Sequence, residues 1–569
     1  MTTDTPAFRT RLAALLPGPK DLRDARRAPL TDLLAGVTVA VVALPLALAF
    51  GVASGLGAAA GLTTAVIAGI VAAVFGGSNL QVSGPTGAMT VVLLPIIAQH
   101  GAGGVLMVGV MAGAVLVVVA FTGAGRYVQM LPASLLEGFT AGIAVVIALQ
   151  QVPSLLGVEV PVHEQVWATA WDALMRWIAS PTWIEPAMAL GTAVAILTLN
   201  RLRRGLPWPL LLVVVLTALS WMLGLQTARI GALPAGLPAP SGDFLDWGVL
   251  GSLVPSAVAV AALGALESLL SASVADGMTV GEQHDPDREL FGQGLANIVV
   301  PFFGGVPATA AIARTAVNVR AGARSRIAAV THSLVLLVVV LVAGAVVGEI
   351  PLAVLAGVLL ATCVGMVSMP TVRATVRATR GDAWVFLATF VTTVAIDVIT
   401  AVIVGFALAS LLTLKAVSDS AQVRRQHLDD DGVARELPTA SAADFERERE
   451  LQRERIVPYR LEGPLFFGVA RRFLVDLTAI DQTRVVILRM GHLSAVDATG
   501  AQAIGEAVAE LRERGIVVML SAVRPGHERA LRQVPGLRRL WDDGRVFDTT
   551  PEAIAAAQRL VREEAEPGA

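Results

Sequence analysis

Fourteen apolar runs, near 33–54, 58–76, 84–98, 103–123, 133–156, 183–200, 207–225, 250–275, 290–303, 307–320, 326–347, 350–368, 383–397 and 399–416, alternate with short joints rich in Gly, Pro or charge. Between Asp32 and Arg126 no Asp, Glu, Lys or Arg interrupts 93 residues. At about 20 residues per span, that stretch alone holds roughly four membrane segments. The pattern predicts an all-α polytopic membrane domain of about fourteen spans over residues 32–418. Two runs break the rule: Gln81–Val91 and Gly304–Thr315 each place Gly and Pro ahead of a segment too short to cross a bilayer. Membrane helices broken in comparable places of two halves of a chain build a midplane site. The first turns of such helices leave backbone N–H groups unpaired and carry roughly +0.5 charge each, so the ligand they favour is an anion.

After Lys415 the pattern changes. Residues 419–455, with Asp429–Asp431 and Glu446–Glu450, are charged and poor in large apolar residues, which predicts a linker with some helix. From Ile456 the periods become those of a soluble domain. Strand-like Val457–Leu461, Val485–Leu488 and Ile516–Leu520 alternate with helix-like Val469–Thr478 and Ala498–Arg514, and a helix and a short strand near Val546 follow. This predicts a small cytosolic α/β domain over 456–562 with a tail at 563–569.

Composition narrows the classes. With 55% hydrophobic and 15% charged residues the chain is far from an ordinary soluble protein, and a net charge of −2 argues against nucleic acid as a partner. The single cysteine, Cys363, lies in an apolar run and excludes a disulfide framework or a Cys-based metal site. The seven histidines show no paired spacing, and neither HExxH nor a P-loop occurs, so no enzyme is expected and no resident cofactor. Residues 1–31 are charged, with no apolar stretch ahead of a small-residue cleavage site, so the first span is expected to act as an uncleaved insertion signal. With the N-terminus inside, 17 of the 20 Lys and Arg up to residue 382 fall on one side, at the N-terminus and in the loops at Arg126, Arg201–Arg204, Arg288, Arg320–Arg326 and Arg373–Arg380. The asymmetry predicts a multi-pass protein of the plasma (inner) membrane with both termini cytoplasmic.

Glu267 is the only acidic residue between Asp246 and Asp276. A carboxylate inside a span costs roughly 2.5–3.5 kcal/mol on insertion scales, so it faces a partner or a wet cavity. Ser271 lies one turn on. The pair offers oxygens for Na⁺ or a carboxyl that takes up and releases a proton; the plainer reading is a structural ion pair, for instance with Arg314. Arg314, about two turns into the second broken segment, either raises the anion affinity of the pocket or neutralises Glu267. Thr86, after Gly84 and Pro85, stands where a first-turn hydroxyl points at an oxyanion, or serves only as a helix cap. Pro45 loosens the first span and lets Phe50 approach the same cavity.

At these residues the chain resembles the sulfate permease (SulP) family of anion transporters. The resemblance rests on Asp32–Gly36, Pro45 with Ala49 and Phe50, Ser83–Val91, Ala275–Gly277 with Gln293–Asn297, Gly304–Pro307 with Arg314 and Thr315, and Asn318–Arg320. Leu461–Gly468 with Val496–Gly500 looks like the STAS domain that this family carries. The resemblance implies a 7+7 inverted repeat with spans three and ten broken, a core moving against a gate, and a homodimer. Within the family, the wording around Ala43–Gly57 and Ser83–Val92 is most like the bicarbonate-transporting members. Those couple to Na⁺ through an Asp and a Thr on span eight and contact the anion through a Thr on span three. The matching positions are Glu267, Ser271 and Thr86, with Ala310 and Ala311 on span ten. Glu267 and Ser271 match in kind but not identity, which keeps Na⁺ and H⁺ coupling both open; Arg314 leans toward sulfate- and dicarboxylate-carrying members. In the STAS domain, Asp497–Gly500 stands where related proteins carry a phosphorylated loop, so Thr499 is a possible phosphosite, alongside regulation or dimer support without phosphorylation and a cytosolic regulator of unknown identity. The expected function is secondary transport of a small oxyanion, bicarbonate or sulfate. A C4-dicarboxylate symporter, an uncoupled channel or exchanger, and a membrane tether for the soluble domain are the competing readings; Glu267 argues against a channel and the paired broken helices against a tether.

Overall fold

The computed structural model describes residues 8–128, 132–161, 163, 165–203, 206–234, 236–279, 281, 283–419, 422–425, 455–465 and 483–565. The chain forms two compact units that divide between Ala409 and Ser410, within the helix Val398–Asp419, which is described with the first.

In the first unit the principal elements, in chain order, are α1 (Pro19–Ala25), α2 (Pro29–Ala53), α3 (Ala58–Phe75), β1 (Ser83–Gly84), α4 (Gly87–Thr122), α5 (Ala133–Gln150), α6 (Val166–Ala179), α7 (Ile184–Leu202), α8 (Trp208–Met222), α9 (Leu250–Met278), α10 (Pro286–Val299), β2 (Thr309–Ala310), α11 (Ile312–Arg320), α12 (Ile327–Gly348), α13 (Leu352–Met366), α14 (Arg380–Ala395) and α15 (Val398–Asp419). Among the described residues eight helices are long and apolar enough to cross a membrane, and α8 is a shorter apolar one. α4 joins two of the predicted runs. Gly101, at φ 65° and ψ −170°, breaks it into two helices, a conformation that a residue without Cβ adopts freely. The predicted run 307–320 is a two-residue strand followed by the nine-residue α11, which is too short to span.

In lipid, apolar faces gain nothing by meeting each other, so helices associate where small residues let backbones approach. α4 crosses α10 at Gly113 and Gly294, where a Cβ on Gly113 would lie 2.5 Å from the Gly294 carbonyl oxygen. Gly51 and Gly61 close α2 on α3, Gly36 sets α2 against α12, Gly357 sets α13 against α7, and Gly138 sets α5 against α14. Large apolar side chains such as Trp221 and Val342 point outward. The amphipathic α6 and the helix Met369–Ala378 were not among the predicted runs, because each mixes charge into its apolar stripe.

The second unit contains β3 (Gln422–Arg425), β4 (Ile456–Leu465), β5 (Val485–Arg489), β6 (Leu493–Val496), α16 (Ala498–Glu513), β7 (Val517–Ser521), α17 (Pro525–Arg532), α18 (Pro535–Asp542), β8 (Val546–Phe547) and α19 (Thr550–Ala565). The sheet order is β3-β4-β5-β7-β8, with β6 also on β4. All pairings are parallel except β3 with β4. Val485–Leu488 is apolar throughout because both faces are covered: Val486 and Leu488 lie with Ile504 and Leu511 of α16, while Val485 and Ile487 lie with Ala553 and Ala557 of α19. Two corrections follow. β3 places a strand inside the segment expected to be a linker with some helix, since an exposed edge of β4 offers its charged residues a backbone partner. β6 was not foreseen, because it is only four residues long. The expected helix Val469–Thr478, the Phe466–Gly468 part of the motif, Arg204 and most of the 419–455 linker lie outside the described residues.

Candidate anion site between two broken helices

The segments leading into α4 and α11 meet as a two-residue antiparallel pair, Ser83 with Ala310 and Gly84 with Thr309. One face of α10 fixes both. Glu289, Gln293 and Asn297 stand at successive i, i+4 positions. Glu289 accepts hydrogen bonds from the Gly77 and Ser78 N–H groups at 2.9 and 3.1 Å, and Gln293 donates to Glu289 at 3.1 Å and to Ser83 Oγ at 2.5 Å. The Asn297 carboxamide accepts from the Ala308 N–H at 2.8 Å and donates to the Ala308 carbonyl at 2.9 Å, pairing with it as a neighbouring strand does. The irregular backbone inside the helical unit thereby has its polar groups satisfied by protein.

Thr86 is the N-cap of α4 and its Oγ1 accepts from the Met89 N–H at 3.4 Å. The same oxygen donates to Glu267 Oε2 of α9 at 2.8 Å and lies 3.0 Å from Thr309 Oγ1, which itself donates to Glu267 Oε2 at 2.5 Å. Glu267 is half-buried. Phe50 lies against Gly87, where a Cβ would meet the Phe50 ring at 3.1 Å and also strike Ile147. The first turn of α4 is thus walled by one aromatic ring and one aliphatic chain, leaving the Gly87 and Ala88 N–H groups without helical partners.

On the opposite side Ala311 caps α11, and its N–H donates to the Val82 carbonyl at 3.0 Å. The Ala310 N–H donates to Ser268 Oγ at 3.3 Å. The unpaired donors of this helix therefore begin at Ile312 and Ala313, both exposed, rather than at Ala310 and Ala311. Arg314 lies in the first turn of α11, not two turns in, and is fully buried. Its Nη2 donates to the Pro85 carbonyl, and its Nη1 occupies the space a Cβ on Gly84 would need. The hydroxyls of Thr86 and Thr309, not the Arg314 guanidinium, hold the Glu267 carboxylate.

The structure brings Thr86, Glu267, Gly84, Arg314 and Phe50 around the β1–β2 pair. Ser271 points elsewhere: its hydroxyl donates to Thr315 Oγ1 at 2.9 Å, and Thr315 Oγ1 accepts from the Val82 N–H at 3.2 Å. Thr309, on a different broken segment, takes the place beside Glu267 that helical spacing gave to Ser271. Sequence reasoning assigned no role to Thr309, Thr315, Ser268, Glu289, Gln293 or Asn297. The signal for the α10 residues was present, since polar side chains at i, i+4 spacing within an apolar run seek buried partners. In the second unit Asp497 caps α16 by accepting the Gly500 N–H at 2.7 Å, and Thr499 is exposed.

The family model described as "Sulfate permease family" matches residues 30–389, and the STAS domain model matches 451–553. The chain is 33% identical to the putative sulfate transporter YvdB of Bacillus subtilis over 86% of this chain and 90% of that one. It is 32% identical to the bicarbonate transporter BicA of a Synechocystis species over 92% and 94% of the two chains. Among solved structures, the transmembrane domain of a cyanobacterium bicarbonate transporter BicA superposes with a TM-score of 0.61 at 34% identity, covering 66% of this chain and 98% of that one. The chain belongs to the sulfate permease family; it is a multi-pass membrane transporter rather than an enzyme.

Proposed function

We propose that the chain is a secondary transporter that moves a small oxyanion, bicarbonate or sulfate, across the plasma membrane by alternating access, coupled to Na⁺ or H⁺, as a homodimer with cytoplasmic termini. The relatives named for sulfate and for bicarbonate support the anion class. The reading is carried by one observation, the Thr86 hydroxyl at 2.8 Å from the Glu267 carboxylate.

A hydroxyl has a single proton to donate. While Glu267 is ionised, Thr86 and Thr309 spend theirs on Oε2, and only lone pairs remain to face an anion. A proton on the carboxyl, or Na⁺ against its oxygens, removes the demand. Thr86 then turns its proton toward an anion seated on the Gly87 and Ala88 N–H groups, at the positive end of α4. Arg314 raises the potential of the same pocket, and Phe50 excludes water from one side. Loading of the coupling ion and of the anion thereby favour each other, and linkage makes the effect reciprocal. Thr309 takes the second-oxygen role first assigned to Ser271.

The test is uptake of labelled bicarbonate, sulfate and fumarate into proteoliposomes with imposed Na⁺ or H⁺ gradients. One inorganic oxyanion should accumulate against its gradient under one of the two cations. Accumulation of fumarate alone would identify a dicarboxylate symporter, and equilibration without accumulation would identify an uncoupled pathway.

A further inference from the structure

Arg314 and His332 are two fully buried side chains whose polar atoms are left over once every described hydrogen bond is drawn. Arg314 Nε and Nη1 have no hydrogen-bond partner among the described residues, and neither has His332 Nδ1 or Nε2. Asn318 Oδ1, one turn along α11 from Arg314, is in the same condition. Buried polar groups in folded proteins are nearly always paired with protein or ordered water.

The backbone directs the imidazole and the guanidinium toward the same part of the core. On α12, Thr331 packs against Gly36 of α2, while Ser333 donates to the Ala65 carbonyl of α3 at 3.1 Å. His332 lies between these two residues, and a helix turns about 100° per residue, so its side chain enters the wedge between α2 and α3. Arg314 reaches the same place from the other side, because its Nη1 and Ala65 Cα both border Gly84. Ala65 of α3 thus borders both approaches, through its carbonyl to Ser333 and through its Cα to the Gly84 space that Arg314 fills. No direct hydrogen bond joins Arg314 and His332, and buried donors and acceptors without a protein partner are commonly linked through an ordered water.

We propose that His332 is a positioning residue for Arg314: through one bridging water its neutral ring accepts an Arg314 N–H, holding the guanidinium against Gly84 and the Pro85 carbonyl, beside the anion pocket. The inference rests on the proposed role of Arg314 at the anion. In its neutral form imidazole offers one acceptor nitrogen and adds no second positive charge beside the guanidinium. An Arg whose unshared N–H groups are tethered loses less freedom when an anion arrives, so the tether acts on affinity.

The experiment measures anion affinity and turnover in the full chain for His332→Leu, His332→Gln and Arg314→Met, with the double variant His332→Leu/Arg314→Met. His332→Leu should weaken anion binding about tenfold with turnover at saturation little changed. His332→Gln keeps an acceptor and should restore most of the affinity, and in the Arg314→Met background His332→Leu should have no further effect. Wild-type affinity in His332→Leu, equal loss in His332→Gln, or additive losses in the double variant would overturn the inference. Wild-type affinity in Arg314→Met would instead overturn the role given to Arg314. Where His332→Leu does not fold, a map of the full chain that resolves water decides: density within hydrogen-bond distance of both side chains is expected, and its absence refutes the bridge.

Discussion

Thr86 and Glu267 stand 181 residues apart in the chain, yet their side-chain oxygens lie 2.8 Å apart. A helix cap on one broken segment and the lone acid of an unbroken helix thus share one proton. Glu267→Gln keeps the shape and an acceptor for Thr86 but cannot change charge. It is expected to abolish gradient-driven accumulation while leaving passive exchange, as read in proteoliposomes with imposed Na⁺ or H⁺ gradients. Concentrative uptake by this variant would make Glu267 structural.

Ala311 is half-buried at the cap of α11, beside exposed Ile312 and Ala313. Ala311→Leu retains the backbone hydrogen bond to Val82 but fills the approach to the unpaired N–H groups. Transport should fall to background, with thermal stability and oligomer size unchanged. Normal uptake would place the anion elsewhere.

Asn297 is the clamp on the strand that enters α11. Asn297→Leu leaves the Ala308 N–H and carbonyl unpaired in a buried place, at a cost of about 1–3 kcal/mol for each orphaned group. A lower Tm in detergent is expected together with loss of uptake, and Asn297→Asp, which still accepts from the Ala308 N–H, should fall between. A variant Asn297→Leu with wild-type Tm would show that β2 is held by something else.

Asp21 of α1 accepts two hydrogen bonds from Arg288, at 3.1 and 2.8 Å, lies 3.2 Å from Arg326 Nε, and accepts the Gly18 N–H at 2.7 Å. Burial opposes its charge, but these partners outweigh burial and its pKa lies below the ordinary carboxylate value. A carboxylate shifted downward stabilises the folded state above its unfolded pKa, and the contribution fades as pH falls through the lower folded value. Protection factors for hydrogen exchange over Pro19–Ala25, taken relative to the intrinsic rate at each pH, should therefore be high at neutral pH and fall under acid conditions. In Asp21→Asn they should be low already at neutral pH, and equal protection in the variant would show that the pair contributes nothing.

A polytopic membrane part followed by a soluble α/β domain was legible in the order of residues alone. The 93 residues without charge, the asymmetry of Lys and Arg, and the return of short periods after Ile456 follow from what lipid and water each exclude, and those rules act on local stretches. The two broken segments were legible for the same reason, since Gly and Pro act where they stand. Glu267 and Arg314 were found as charges that lipid tolerates only where they are paired or wet, and Thr86, Gly84 and Phe50 from their places at the Gly-Pro break and beside the Pro45 kink. What the sequence could not supply was which of them touch. Helical spacing put Ser271 beside Glu267, but the crossing of α9 with the broken pair turns Ser271 to Thr315 and brings Thr309 to the carboxylate. For Arg314 the sequence left two roles open, at the anion or against Glu267, and it could not show that the guanidinium lies on the Pro85 carbonyl and Gly84. These partnerships depend on helices meeting at Gly113 with Gly294 and on the α10 side chains that pin both broken segments. Tertiary structure alone decides them, because a hydrogen bond forms or fails within a few tenths of an ångström, while periodicity specifies only the face on which a side chain stands.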